Sequence, residues 1–76
     1  MKTVVTFTLP RSDIRFHFDG DKITEMSISH LMYDAEGRLI DAITFDDYNP
    51  PQSYAKDRYM KLLASSVPSE THEIEG

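Results

Sequence analysis

Three features of the sequence predict an α+β fold, a four-stranded antiparallel β-meander with one C-terminal helix packed on one face (ββββα). Residues 2–9 and 14–18 alternate apolar and polar side chains at the period of a half-buried strand. Residues 26–45 read as a long β-hairpin around the turn signal Asp34-Ala35-Glu36-Gly37. Residues 55–66 repeat apolar side chains at helical spacing.

The first strand sets Val5, Phe7 and Leu9 on one side and Val4, Thr6 and Thr8 on the other. Its β-branched residues suit a pleated surface. Pro10-Arg11-Ser12-Asp13 ends it, because proline brings no donor to a ladder. Ile14, Phe16 and Phe18 then alternate with Arg15 and His17. A four-residue loop pairs Leu9 with Ile14, Phe7 with Phe16 and Val5 with Phe18, and the apolar faces agree. Asp19-Gly20 is the strongest short-range hairpin signal in the chain. A two-residue turn there pairs Phe16 with Ile23, whose parity is opposite to that of Met26 and Ile28 on the next apolar face. Either a three-residue turn leaves Ile23 facing outward, or a β-bulge near Thr24-Glu25 resets the face. The bulge is the favoured reading.

In the 26–45 hairpin, a three-residue loop pairs Tyr33 with Leu39 and mixes the two faces. A four-residue loop pairs Tyr33 with Arg38 and keeps one face apolar, which selects it, since a one-residue slip exchanges the faces. Met26, Ile28, His30 and Met32 then oppose Phe45, Ile43, Asp41 and Leu39. The other face carries Ser27, Ser29, Leu31, Tyr33, Arg38, Ile40, Ala42 and Thr44.

Asp46-Asp47-Tyr48-Asn49-Pro50-Pro51 leaves the sheet, with Asn49 as N-cap and Pro50 at the first helical position. Ser53 is the alternative cap. Ala55, Tyr59, Leu62, Leu63 and Ser66 form the buried stripe, and Asp57 and Lys61 an i, i+4 ion pair. Val67-Pro68 ends the helix. Residues 1–67 are thus expected as a single domain, and residues 68–76 as a flexible acidic tail.

A chain of 76 residues buries only about 60% of the surface its unfolded form exposes. With no cysteine it has neither disulfides nor thiolate metal sites, so association with a partner is the remaining way to bury more. Apolar content of 39% with four Phe and four Tyr supports a core. No run approaches the roughly 20 apolar residues of a membrane span, and the N-terminus lacks a signal-peptide core. A cytoplasmic protein without membrane contact is expected. The net charge of −5 argues against direct nucleic-acid binding, which needs clustered Lys and Arg. Residues 1–67 carry ten acids against eight bases, too mild a surplus for a carboxylate array that mimics DNA.

The most enzyme-like pair is His30 opposite Asp41, a carboxylate-oriented histidine. No Ser, Cys or Lys has a reason to sit beside it, so it reads as structural and no catalytic residue is assigned. Asp19, Asp21, Asp46 and Asp47 lack the spacing of a calcium loop, and His17, His30 and His72 are too scattered for zinc. No metal site and no cofactor is expected. Pro50-Pro51-Gln52-Ser53-Tyr54 misses the WW-domain ligand motif by one residue. Phe7, Phe16 and Phe18 lack the flanking cations of a base-stacking platform and read as core. The segment Tyr33-Asp34-Ala35-Glu36-Gly37-Arg38-Leu39 resembles one unit of the YD repeats of large shell-forming proteins. The likeness covers the hairpin tip alone, occurs once, and reads as shared turn chemistry.

One helix covers one sheet face, which leaves Val4, Leu31, Tyr33, Ile40 and Ala42, with Ile23 if it faces outward, on the other. The expected function is therefore that of a small acidic protein-binding module. Immunity proteins and phage-encoded inhibitors of host defence enzymes share its size and charge. Leu31, Tyr33, Arg38 and Ile40 are the expected protein-binding residues, since Tyr and Arg are enriched at interface hot spots. The alternatives are a homo-oligomer, with a second copy as partner, and an enzyme using His30 and Asp41.

Overall fold

The computed structural model describes residues 2–66, 68 and 70–74. Val67, the expected end of the folded unit, lies outside the described residues, as do Met1, Ser69, Glu75 and Gly76. The elements are β1 (Lys2–Leu9), β2 (Ser12–Asp19), β3 (Lys22–Tyr33), β4 (Leu39–Tyr48), α1 (Gln52–Ser65) and β5 (Glu70–Ile74). The strands form one antiparallel sheet in the order β4-β3-β2-β1-β5. The class is the predicted α+β arrangement with one C-terminal helix, but the sheet has five strands rather than four. The fifth, ETHEI, has a single apolar residue and so no alternation to read. It runs along β1 from Lys2↔Ile74 to Thr6↔Glu70.

The alternation assigned the faces of β1 to β3, and of β4 from Asp41 onward, correctly. Leu39 lies on the face opposite to the one expected, and all three expected hairpin registers, including Phe16 with Ile23, are two residues out. Pro10 and Arg11 alone join β1 to β2, so Leu9 faces Ser12, Phe7 faces Ile14 and Val5 faces Phe16. Between β2 and β3 the turn is Gly20-Asp21, with Gly20 at φ +61°. Phe18 faces Ile23 and His17 faces Glu25, which makes Thr24 the extra residue of a bulge. The bulge keeps Ile23 on the core face, where it is fully buried rather than outward. At the tip of the β3–β4 hairpin, Gly37 N–H donates to the Asp34 carbonyl (3.0 Å) and Asp34 N–H to the Arg38 carbonyl (2.9 Å). Gly37 takes φ +82°, so this is a three-residue loop with a glycine in the left-handed region. Tyr33 pairs with Leu39, as in the loop rejected for mixing faces. A second bulge repairs the parity: Met32 faces Asp41, and Ile40 is the extra residue. Ile28 therefore faces Phe45, and His30 faces Ile43 rather than Asp41.

The core lies between α1 and the face that carries Phe7, Phe16, Ile23 and Met26. Tyr59 sets its ring edge-on to Phe16, Phe18 and Phe7, at 5.2, 5.0 and 5.9 Å between centroids. Ala55 is fully buried and Leu62 packs beside it, but Leu63, expected in the same stripe, is exposed. Ser66 lies just past the helix, its N–H on the Leu62 carbonyl at 2.7 Å. Asn49 is not the N-cap. It sits at φ +52° and donates its N–H to the Thr24 carbonyl at 2.8 Å. Pro51 occupies the cap position without a side-chain bond, and Ser53 falls inside the helix. Gln52 instead ties the helix start to the sheet. Its Oε1 accepts the Ile23 N–H at 2.9 Å and its Nε2 donates to the Ile23 carbonyl at 2.7 Å. The Asp57–Lys61 pair forms at 2.9 Å.

Candidate functional site

The twelve residues of β3 span about 40 Å at 3.3–3.4 Å each. That matches the longest of the molecular extents, 41 × 27 × 20 Å. The fourteen residues of α1 span about 21 Å and are seated over β1, β2 and the start of β3. The far half of β3 and the β4 residues paired with it extend beyond the helix as an arm, while Asp47 and Tyr48 at the end of β4 lie beside Met26 and Glu25. Every residue of β4 is exposed, including Leu39, Ile40, Ile43, Phe45 and Tyr48.

The registers fix which side of the arm each residue takes. Ile28, His30 and Met32 of β3 share the helix-side face with Asp41, Ile43, Phe45 and Asp47 of β4. The sequence placed Met32, Leu39, Ile43 and Phe45 on the core face, and Leu39, paired with Tyr33, takes the opposite one. The other three are exposed, Phe45 to 60%, because the helix does not reach them. The exposed His30 ring stands edge-on to Phe45 at 5.9 Å. His30 and Asp41 are not brought together, and the Asp41 carboxylate accepts the Ala42 N–H at 2.8 Å.

The opposite face is polar along the middle of the arm. The buried Ser27 hydroxyl lies 2.6 Å from an Asp46 oxygen and 3.1 Å from Glu25, and the Ser29 and Thr44 hydroxyls are 3.0 Å apart. Two histidine–carboxylate pairs lie on this face, His17 with Glu25 at 3.9 Å and, on β5, His72 with Glu70. The residues expected at the interface gather toward the arm's tip. Tyr33 is exposed, and Ile40, the bulged residue, is 65% exposed. Leu31 is half-buried and donates its N–H to the Arg11 carbonyl at 2.9 Å. Arg38 is exposed but engaged, with Nε 3.1 Å from Asp34 and Nη2 3.5 Å from Glu36. The Asp34 carboxylate also accepts the backbone N–H groups of Arg38 (2.9 Å) and Glu36 (3.0 Å). These bonds, that of the Arg38 N–H above all, hold its pKa below the ordinary 3.8 against a smaller desolvation effect.

Sequence reasoning missed Ile43, Phe45 and Tyr48 as surface residues. It also missed a charge signal that was available. Residues 24–49 hold Glu25, Asp34, Glu36, Asp41, Asp46 and Asp47 against Arg38 alone, whereas the rest of the chain balances seven acids with seven bases. The whole net charge therefore sits on the arm and its flanks.

Elsewhere, an open groove of about 380 Å³ lies between the β2–β3 turn and α1, lined by Phe18, Gly20, Asp21, Lys56, Tyr59 and Met60. Among the described residues no three His, Asp or Glu side chains converge as metal ligands, and no helix is long and apolar enough to cross a membrane. Compared with known families, known proteins and solved structures, the chain matches none.

Proposed function

We propose that this chain is a protein-binding module that acts by docking the β3–β4 arm on a partner protein, in the manner of a small inhibitor. The observation that carries the reading is the complete exposure of β4 with Leu39, Ile40, Ile43, Phe45 and Tyr48 on it. Isolated exposed apolar residues need no explanation, but Ile43 and Phe45 lie two residues apart on the helix-side face, while Leu39 and Tyr48 lie on the opposite face with Tyr33. The area agrees. The molecule exposes 5320 Å², against roughly 4,700 Å² for a compact monomer of its mass. A standard interface covers about 800 Å² on each partner. Tyr33 and Ile40 extend the surface to the tip, with the half-buried Leu31 two residues from Tyr33 on the same face. Arg38 serves there as a spacer already held by two carboxylates.

The test uses full-length chain immobilised in lysate of the source organism. Ile43→Thr with Phe45→Thr removes apolar area that is already exposed, so the melting temperature should stay within a few degrees. Capture of the specifically retained protein should fall at least tenfold. Tyr33→Ala should weaken binding by about 1 kcal/mol or more with equally little effect on melting. If both variants retain the same partners as the parent chain, the arm is not the docking surface.

A further inference from the structure

We infer that β4 takes up an extended segment of its partner as a sixth strand, and that the segment carries basic residues flanking two apolar ones at alternate positions. The inference rests on the docking reading above and specifies its chemistry. β4 is an edge of the sheet, so every second N–H and C=O along it has no neighbouring strand, and of these the Ala42 N–H is held by the Asp41 carboxylate at 2.8 Å until a partner strand displaces it. Edge strands are usually blunted by charged side chains, lysine above all, by proline or by a bulge. The charges on β4 are Asp41, Asp46 and Asp47, which repel an acidic strand and favour a basic one. β4 has neither lysine nor proline, and its bulge at Ile40 lies near the tip, which leaves the register regular from Asp41 to Tyr48. The other edge, β5, is only five residues long.

Along that regular stretch the helix-side face reads Asp41, Ile43, Phe45, Asp47: acid, apolar, apolar, acid. A strand laid beside it places a side chain directly opposite each of these. Basic residues suit the two ends and apolar residues the middle. The pattern is the same from either direction, so parallel and antiparallel addition are both served. A second copy of this chain fits poorly. Two-fold pairing about Thr44, which sets Ile43 against Phe45, also sets Asp41 against Asp47 twice, and like charges directly opposite destabilise. Pairing about Ile43 sets Asp41 against Phe45. The edge therefore calls for a cationic strand of different sequence.

The probe is a synthetic peptide, Lys-Thr-Val-Thr-Val-Thr-Lys with blocked ends, titrated to millimolar concentration into ¹⁵N-labelled full-length chain. The expected result is shift changes along β4, with slowed exchange at alternate β4 amides only. N-methylation of one alternate set of peptide amides should abolish binding, while methylation of the other set should leave it. Glu in place of both Lys, or Asp41→Asn with Asp47→Asn in the protein, should weaken binding at least fivefold at low salt, and added salt should narrow the difference. Binding indifferent to N-methylation, shifts confined to β5, or no shifts at all would overturn strand addition. Light scattering that shows a dimer dissociated by Ile43→Thr with Phe45→Thr would overturn it in favour of a second copy. If the peptide leaves β4 untouched while the arm variants still lose their partner, strand addition falls and the docking reading stands. If the arm variants lose nothing, the docking reading falls.

Discussion

The Gln52 carboxamide occupies the place that a neighbouring strand's peptide group would take. β4 ends opposite Glu25, so the backbone of β3 beyond that point has no strand beside it. Asn49 N–H caps the Thr24 carbonyl there, and Gln52 both accepts from and donates to Ile23. Gln52→Ala should strand one donor and one acceptor at a residue with a fully buried side chain, at a cost of about 1–3 kcal/mol. Each kcal/mol lowers the melting temperature of a domain this size by roughly 4–8 °C, which calorimetry would read. An unchanged midpoint would mean that water replaces the carboxamide freely. At the arm's tip, Asp34 links structure to pH. Its pKa is lowered by folding, so its contribution is fully present above the unfolded value and lost as pH falls through the folded one. Carbon-detected titration should find its midpoint below 3.8, with tip amides losing dispersion over the same acid window. Asp34→Asn should remove that dependence. Asp34 was legible in the sequence because its partners lie two and four residues away. Gln52 was not, because Ile23 is 29 residues distant and is aligned by a bulge.

Strand faces were readable because alternation has period two, and for the same reason it fixes register only to within two residues. Both hairpins moved by that amount once short turns replaced the four-residue loops. The β2–β3 bulge was readable from a conflict of parity between Ile23 and Met26. The β3–β4 bulge produced the same kind of conflict, but there it led to rejection of the loop that occurs. Parity conflicts beside a good turn signal thus point to a bulge sooner than to a different loop. β5 was hidden because its stabilisation is backbone pairing. Five residues cost about 1–2 kcal/mol each to order, and each hydrogen bond repays about 0.5–1.5. Those terms nearly cancel. A chain ending at Pro68 should therefore melt within about 5 °C of the parent, while amides along β1 exchange faster. A loss of twice that would show that β5 contributes packing as well as pairing.

At the scale of the whole molecule, a domain too small to bury both halves of its sheet has buried one. Tyr59 and three phenylalanines close the core over β1, β2 and the root of β3. The remainder of the long hairpin keeps the apolar residues that the sequence had assigned to that same core. Pattern alone could not separate them, because a face destined for a helix and a face destined for a partner have the same alternation. Helix length could have done so, since about 21 Å of helix cannot cover about 40 Å of strand. The charge distribution points the same way, with the surplus carboxylates gathered on the arm and the helical half neutral.

The adjacency of β1 and β5 also has a consequence in time. Every other strand pair closes a turn of two or three residues, whereas Thr6 meets Glu70 only after most of the chain has been spanned. Closing a loop some thirty times longer costs about 3 kcal/mol more in chain entropy. The hairpins should therefore form first and β5 should dock last, its amides gaining protection in pulse-labelled exchange after those of β3. Simultaneous protection would show that the five strands assemble in one step. In the expected order, the arm is ready for a partner before the sheet's far edge is complete.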